Sequence, residues 1–132
     1  MMLFVDTSAI YALLDAGDRY HPYAKTVWLE WMEQPVTLVC SNYVFLESVA
    51  LIQRQLGVEA ALRFITEMAP AFRILWIRPS IHRAAVSAFL AARRPDISLV
   101  DYTSFELMRR LGIRIAFTFD CHFAEQGFEV VP

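Results

Sequence analysis

Four acidic side chains lie at positions from which they could act together on one substrate. Two follow apolar runs that read as buried strands, and two lie in the early turns of predicted helices. They are Asp6, Asp120, Glu47 and Asp101. A parallel sheet brings the ends of its strands and the starts of the following helices to one edge, so we expect these carboxylates to converge. Carboxylate-only ligation is typical of Mg²⁺ or Mn²⁺, and such sites suit phosphoryl chemistry.

The chemistry expected of this acidic quartet (Asp6, Glu47, Asp101 and Asp120) is metal-assisted displacement at phosphorus. One ion can lower the pKa of a water, and a second can stabilise the leaving oxygen. Zinc is disfavoured because no Cys/His set has ligand spacing. Neighbouring polar side chains could orient the carboxylates, a water or a phosphate oxygen. These candidates are Thr7, Ser8, Thr118 and His122, for which capping or ordinary hydrogen bonding is the alternative.

Each acid also has a purely structural interpretation. Asp6 could be only the N-cap of the first helix, and Asp101 could be only a favourable first-turn partner of a helix dipole. Glu47 is harder to explain, because its neighbours three and four positions away are all apolar. We therefore predict that it points with the core-facing stripe, where an unpaired carboxylate costs several kcal/mol. A position at the edge of the stripe, or a pairing with Arg, is the alternative.

The elements that would position these acids follow from apolar runs, helical periodicity and turn residues. The predicted strands are 3–5, 36–40, 72–77, 113–119 and 128–131. The predicted helices are 7–14, 21–33, 42–56, 58–68, 79–93 and one capped by Asp96 or Ser98 that ends before Gly112. All four glycines fall at boundaries. Strands that alternate with helices predict an α/β fold with a parallel sheet and helices on both faces.

The amino-acid composition limits the classes of protein to which this chain can belong. The 132 residues suit one domain, 1–132, and a chain that is 57% hydrophobic and 20% charged can bury a large core. The net charge is −2, from 12 basic and 14 acidic residues; if four acids hold metal, 10 remain and the balance becomes +2. A polyanionic substrate is therefore not excluded.

The compartment expected from the sequence is the cytoplasm, with no membrane association. No apolar stretch is long enough to span a bilayer, and the first five residues lack the basic region of a signal peptide. Cys40 and Cys121 form no disulfide framework, so we expect reduced thiols.

Four stretches carry a resemblance to a known family, and they lie in that family's order. They are Val5-Asp6-Thr7-Ser8-Ala9, Phe45-Leu46-Glu47-Ser48, Ser98-Leu99-Val100-Asp101 and Thr118-Phe119-Asp120-Cys121-His122-Phe123. The chain resembles a PIN domain over its whole length, specifically the VapC-type toxin of a toxin–antitoxin pair. The resemblance implies a five-stranded parallel sheet in a three-layer α/β/α sandwich. It also implies an Mg²⁺- or Mn²⁺-dependent endoribonuclease in which the quartet is catalytic and binds the metal.

The resemblance further implies a homodimer and a small antitoxin protein with a basic side chain that reaches the acidic pocket. Some family members carry a further acid two residues after the last Asp. Here that position is His122, which we interpret as a capping or supporting group. Candidate RNA contacts, chosen by their closeness to the acids in sequence, are Arg19, Arg93, Arg94 and Arg114. We also expect an exposed apolar patch that includes some of Tyr20, Trp28, Trp31, Phe64 and Trp76.

Two other classes of α/β protein with acids at the sheet edge require residues that this chain lacks. A phosphatase of the haloacid dehalogenase type needs a second acid two residues after the first, where this chain has Ser8. A response-regulator receiver needs a late Lys, and the one Lys is Lys25. Two alternatives stay open: a housekeeping PIN-type RNA-processing nuclease and a non-catalytic PIN-fold binding module.

Overall fold

Five parallel strands form one sheet in the computed structural model, which describes residues 1–132. They are β1 (Met2–Val5), β2 (Thr37–Ser41), β3 (Phe72–Leu75), β4 (Ile115–Phe117) and β5 (Glu129–Val131). The order across the sheet is β3-β2-β1-β4-β5. The chain therefore builds outward from β1 to β3, then returns across β1 to build β4 and β5 on the other side. Ligands of open α/β sheets bind at such a reversal, beyond the carboxyl ends of the strands.

Seven helices connect the strands. They are α1 (Thr7–Leu14), α2 (His21–Met32), α3 (Asn42–Leu56), α4 (Val58–Arg63), α5 (Pro79–Ala92), α6 (Leu99–Leu111) and α7 (His122–Glu125). Right-handed crossovers place α1 to α4 on one face and α5 to α7 on the other. Phe105 of α6 packs edge-on against Phe123 of α7, with ring centroids 5.0 Å apart. The predicted α/β/α sandwich is thus confirmed. None of the helices has the length and apolar character needed to cross a bilayer.

The hydrophobic core is centred on β1 and β2. Leu3, Phe4 and Val5 are completely buried, which explains why the first strand is an unbroken apolar run. The buried hydrophobic residues form a single cluster that both helical layers share. Cys40 lies inside this cluster and Cys121 is exposed, and both are free thiols as predicted.

Three predicted elements are shorter than expected. Strand β4 ends at Phe117 because the backbone N–H groups of Phe119 and Asp120 donate to side-chain hydroxyls instead of to a neighbouring strand. Strand β3 ends at Leu75, and the N–H of Ile77 donates to Asn42 Oδ1 (2.7 Å). The predicted helix 58–68 is helical only as α4, followed by a π-helical turn over Phe64–Met68 and a 3-10 turn over Ala69–Ala71.

Side-chain caps fix the starts of the two helices that carry Glu47 and Asp101. Ser41 begins α3 by accepting a hydrogen bond from the N–H of Val44 (3.0 Å). Ser98 begins α6 through a capping box, because Ser98 Oγ accepts from Asp101 N–H and Asp101 Oδ2 accepts from Ser98 N–H. The second of the two capping residues proposed from sequence is therefore the correct one.

Candidate active site

Asp6 lies directly beyond β1, at the sheet reversal, and only 5% of its surface is exposed. Its Oδ2 atom accepts hydrogen bonds from Ser8 Oγ (2.8 Å), Thr118 Oγ1 (3.0 Å) and Ser8 N (3.3 Å). Its Oδ1 atom accepts none. The backbone bond from Ser8 makes Asp6 the N-cap of α1, so the structural interpretation is correct but incomplete. The cap uses one carboxylate oxygen and leaves the other free.

The hydroxyls of Ser8 and Thr118 tie the end of β1 to the turn after β4. Ser8 Oγ lies 3.2 Å from Thr118 Oγ1 and accepts a hydrogen bond from Phe119 N–H (3.0 Å). Thr118 Oγ1 in turn accepts from Asp120 N–H (3.0 Å). Two small hydroxyl side chains therefore fix the backbone of Asp120 relative to Asp6.

Glu47 lies on the edge of the core-facing stripe of α3, not within it. The buried residues of α3 are Val44, Ser48 and Ile52, so the buried face of the helix is centred on Ser48 and not on Glu47. Ala50, one of the apolar neighbours on which the prediction rested, is exposed. Ser48 takes the buried position and donates a hydrogen bond to Thr7 Oγ1 (3.2 Å), which links α3 to the start of α1.

The four carboxylates are close enough to perturb one another. Burial raises the pKa of Asp6 to about 6, with a further increase from the charge of Asp101, against hydrogen bonds from Ser8 and Thr118. Burial also raises the pKa of Glu47, and the Asp101 charge adds to this effect. The pKa of Asp101 is raised by burial and by the Asp120 charge, against the hydrogen bonds from Ser98. Asp101 thus couples to the three other acids.

The quartet has the properties of a cation site. None of the four acids forms an ion pair with Lys or Arg. Asp101 and Asp120 repeat the pattern of Asp6, because each has one oxygen that accepts a backbone N–H and one that accepts no hydrogen bond. No three of the four side chains bring their oxygens within 4.8 Å of one another. Partly buried carboxylates with free oxygens and no Lys or Arg partner fit a divalent cation, which would relieve their repulsion.

Asp120 is held by His122, which belongs to a larger charged network. His122 Nδ1 lies 2.6 Å from Asp120 Oδ1 without hydrogen-bond geometry, while its backbone N–H donates to that oxygen (2.9 Å). On the other side of the ring, Nε2 lies 3.0 Å from Asp96 Oδ2. Arg94 bridges Asp96 (2.8 Å) and Glu125 (2.6 Å). His122 therefore lies between the carboxylates of Asp96 and Asp120.

The charges around His122 also determine its protonation. Burial acts to lower the pKa of His122, but the hydrogen bond to Asp96 and the charges of Asp120 and Glu125 outweigh it and raise that pKa. Hydrogen bonds from the Arg94 guanidinium hold the pKa of Asp96 well below its usual range. The carboxylates around His122 thus favour the charged form of its imidazole.

The predicted RNA contacts do not all lie beside the acids. Arg114 directly precedes β4, so it lies at the amino edge of the sheet, opposite the quartet, and that prediction is wrong. The guanidinium of Arg94 is engaged by its two carboxylate partners. Arg93 is exposed and ends α5 in the left-handed conformation (φ 50°). Arg19 lies over the Tyr20 ring, which stacks on Phe119 next to Asp120, with ring centroids 4.5 Å apart.

The predicted apolar patch is only partly correct. Phe64 is completely buried, so its inclusion is wrong. Trp28 and Trp31 are partly buried and pack against the core, and Tyr20 is covered by its stacking partner. Of the five residues, Trp76 alone is mostly exposed, at 73%.

Two contacts of the site could not have been predicted from local sequence. The Asp96–His122 contact joins residues 26 positions apart, and no periodicity connects them. The Ser48–Thr7 bond joins residues 41 positions apart. Only the second has a sequence signal, since a Ser within the apolar face of a helix needs a hydrogen-bond partner.

Comparison with known families identifies this arrangement. The family model described as PIN domain matches residues 3–129. The chain belongs to the PIN-domain family. It is 35% identical over 133 residues to the 23S rRNA-specific endonuclease VapC20 of Mycobacterium tuberculosis, and the match covers 99% of both proteins. The resemblance inferred from the four acidic stretches is thus confirmed, including the VapC type. Nucleases with a PIN domain depend on a metal ion.

Solved PIN-domain structures share the fold. The crystal structure of Mycobacterium tuberculosis VapC20, described as a sarcin–ricin loop cleaving toxin, has a TM-score of 0.87 at 33% identity, covering 98% of this chain and 99% of that one. VapBC2 of Rickettsia felis, bound to a DNA fragment from its promoter, has a TM-score of 0.74 at 9% identity, covering 98% and 97%. At that identity the likeness shows the fold alone.

Proposed function

We propose that this protein is a metal-dependent endoribonuclease whose active site is the acidic quartet. The observation that carries the proposal is the set of carboxylates at the sheet reversal that have no Lys or Arg partner, in a chain 35% identical to an endonuclease across nearly its whole length. Asp6, Glu47, Asp101 and Asp120 would hold Mg²⁺ or Mn²⁺ through the oxygens that no protein group occupies. Oxygen-only ligands suit either ion.

A divalent cation held by Asp6, Glu47, Asp101 and Asp120 would supply Lewis-acid stabilisation of phosphodiester charge and would lower the pKa of a water near the quartet. The protein's own part is orientation. Ser8 and Thr118 fix one oxygen of Asp6 and the backbone of Asp120, while the capping box fixes one oxygen of Asp101. The backbone N–H of His122 donates to Asp120 Oδ1 and so fixes one oxygen of that carboxylate. Because these donors are in place before substrate arrives, little reorganisation is needed during the reaction.

The proposed substrate is 23S rRNA, and the proposed role is that of a toxin. Both rest on the relative at 35% identity, which is named for cleavage of that RNA. The open alternative is a housekeeping PIN-type RNA-processing nuclease with the same chemistry. Induction of the protein in a bacterial host distinguishes the two roles. A toxin should arrest growth and cut 23S rRNA at a single position, whereas a processing enzyme should leave growth unchanged.

The direct test of catalysis uses purified protein and purified ribosomal RNA. We expect cleavage with Mg²⁺ or Mn²⁺, no cleavage with excess chelator, and recovery when the ion is restored. The products should carry 5′-phosphate and 3′-hydroxyl ends, as water-dependent hydrolysis of this kind leaves them. Cleavage that continues in chelator would contradict the metal-dependent mechanism.

We further propose a homodimer and a protein antitoxin. A recess of about 300 Å³ between α1, α2 and α4 is lined by Leu13, Leu14, Trp28 and Met68. Two of the same helices also carry exposed leucines, Leu29 on α2 and Leu62 on α4. This surface fits an amphipathic helix of an antitoxin. Co-expression with the adjacent gene product should restore growth, and Leu62→Glu should abolish that rescue without affecting RNA cleavage. Sedimentation that shows a monomer at all concentrations would contradict the dimer.

A further inference from the structure

A second recess, of about 420 Å³, adjoins the acidic quartet itself. It is lined by Tyr43, Leu46 and Glu47 of α3 and by Leu99 and Val100 of α6. One acid of the quartet, Glu47, lines the recess, and a second, Asp101, directly follows the lining residue Val100 in the sequence. The other surfaces are almost wholly apolar side chains. The mechanism described above uses none of them.

We propose that this recess binds one nucleobase of the RNA, that of a nucleotide flanking the scissile phosphate. The proposal rests on the proposed function, because it assumes that a phosphodiester lies at the quartet. A base is joined to its phosphate through one sugar, so a phosphate held at the quartet places an adjacent base beside Glu47. Sequence-selective proteins recognise single-stranded RNA in this way, by packing unstacked bases against aromatic and apolar side chains.

The aromatic wall of the recess is held in place before RNA binds. Tyr43 Oη lies 2.8 Å from Nδ1 of His82 in α5, and the two rings meet edge-to-face at 85° with centroids 5.9 Å apart. Tyr43, Leu46 and Glu47 lie on one side of α3, as spacings of three and four residues require. A fixed ring loses little conformational freedom when a base packs against it, and this favours binding.

Leu46 gives independent support for an occupant. This leucine is 64% exposed, and it lines the recess together with the apolar side chains of Leu99 and Val100. The recess between α1, α2 and α4 contains no acid of the quartet, so it offers no comparable connection to the reacting phosphate. Continuity with the acidic site is what assigns the Tyr43 recess to substrate and not to a protein partner.

The test measures RNA binding separately from cleavage. The probe is a fluorescein-labelled RNA hairpin with the sarcin–ricin loop sequence of 23S rRNA, together with versions that each carry one abasic nucleotide in the loop. All proteins carry Asp6→Asn so that bound RNA stays intact, and affinity is measured by fluorescence anisotropy in Mg²⁺. Tyr43→Ala and Leu46→Ser alter the recess. Leu111→Ser is the matched control, because it makes the same change at a distant site. Leu111 is an exposed residue of α6 that lies beside Met1 and Ile115, at the opposite edge of the sheet.

We expect Tyr43→Ala to weaken binding of the intact hairpin by about 10- to 100-fold, the usual range for loss of one base–aromatic contact. One abasic hairpin should bind the Asp6→Asn protein equally weakly, and on that hairpin Tyr43→Ala should cause no further loss. Leu111→Ser should bind every hairpin as the Asp6→Asn protein does. Tyr43→Phe, which keeps the ring, should retain most of the affinity.

Three results would overturn the proposal. The first is a Tyr43→Ala protein that binds all hairpins normally, and the second is a loss of affinity that is the same for every abasic hairpin. The third is a change of sedimentation with unchanged RNA binding, which would make the recess an interface between copies. If Tyr43→Ala does not fold, Leu46→Ser decides the matter, because the exposed Leu46 contributes little to the core. Failure of wild-type protein to cut RNA would be seen in the cleavage assay and not in these affinities.

Discussion

Asp6→Asn and Asp101→Asn are each expected to reduce RNA cleavage by about 10³-fold or more, equivalent to roughly 4 kcal/mol of transition-state stabilisation. Each substitution removes one charge from the quartet while keeping an oxygen that can accept the same hydrogen bonds. Asn is as good an N-cap as Asp, so the start of α1 should persist when Asp6 is replaced. Single-turnover cleavage of 23S rRNA in Mn²⁺ measures the effect, and circular dichroism checks the fold.

The matched control is Asp15→Asn, which makes the same chemical change outside the quartet. Asp15 follows α1, and it accepts hydrogen bonds from Tyr11 Oη (2.7 Å) and from the N–H of Gly17 (2.9 Å). It should cleave at the wild-type rate. Full activity in both quartet variants would mean that the carboxylates do not carry the reaction, and equal loss in all three proteins would point to a general effect of charge.

Metal-free stability is expected to fall as pH rises, and Asp6 is the group that causes most of the fall. Its pKa is about 6 in the folded protein against an ordinary 3.8, so the folded state binds the proton more tightly. The contribution of this proton to the free energy of unfolding is fully present below about pH 4. It is lost as pH rises through about 6, which lowers the free energy of unfolding by roughly 3 kcal/mol. Unfolding in urea with chelator, measured from pH 4 to 8, gives the profile.

Asp6→Asn should remove most of this pH dependence, because the amide resembles the protonated acid. At pH 7.5 in chelator it should melt above wild type by roughly 10 °C. Mn²⁺ at about 100 times its dissociation constant should raise the free energy of unfolding of wild type by roughly 2.7 kcal/mol, and that of the variant by less. Asp15→Asn should not raise the melting temperature in chelator, because hydrogen bonds from Tyr11 and Gly17 lower the pKa of Asp15 and so favour its charged form. A wild-type profile that is flat from pH 4 to 8 would refute the assignment.

Much of the fold could be predicted because its signals are local. The apolar run of β1, the Ser caps of α3 and α6 and the boundary glycines each act within a few residues. The ends of β3 and β4 were predicted too late, because long-range side-chain bonds, from Ile77 to Asn42 and from Phe119 to Ser8, take the backbone out of the ladder. Apolar residues continue past those points, so the pattern alone could not show where pairing stops.

For the candidate site, the placement of the acids and the identity of their neighbours could be inferred from sequence, but the long-range contacts of those neighbours could not. Strand ends and helix starts meet at one edge of any parallel sheet, so the acidic quartet follows from topology. The orientation of Glu47 was misjudged because an apolar neighbour, Ala50, is small enough to be exposed at little cost. The link from Arg94 through Asp96 to His122 depends on how two distant loops pack, which no periodicity in the sequence encodes.

The central claim, that the quartet together holds a divalent cation, is tested most directly by Mn²⁺ titration calorimetry at pH 7.5. Wild type and Asp15→Asn should bind Mn²⁺ with the same affinity. Asp101→Asn should bind at least about 10-fold more weakly, since even residues that only support metal ligands cost that much when they are lost. Equal affinity in all three proteins, or no binding to wild type, would contradict a metal site at Asp6, Glu47, Asp101 and Asp120.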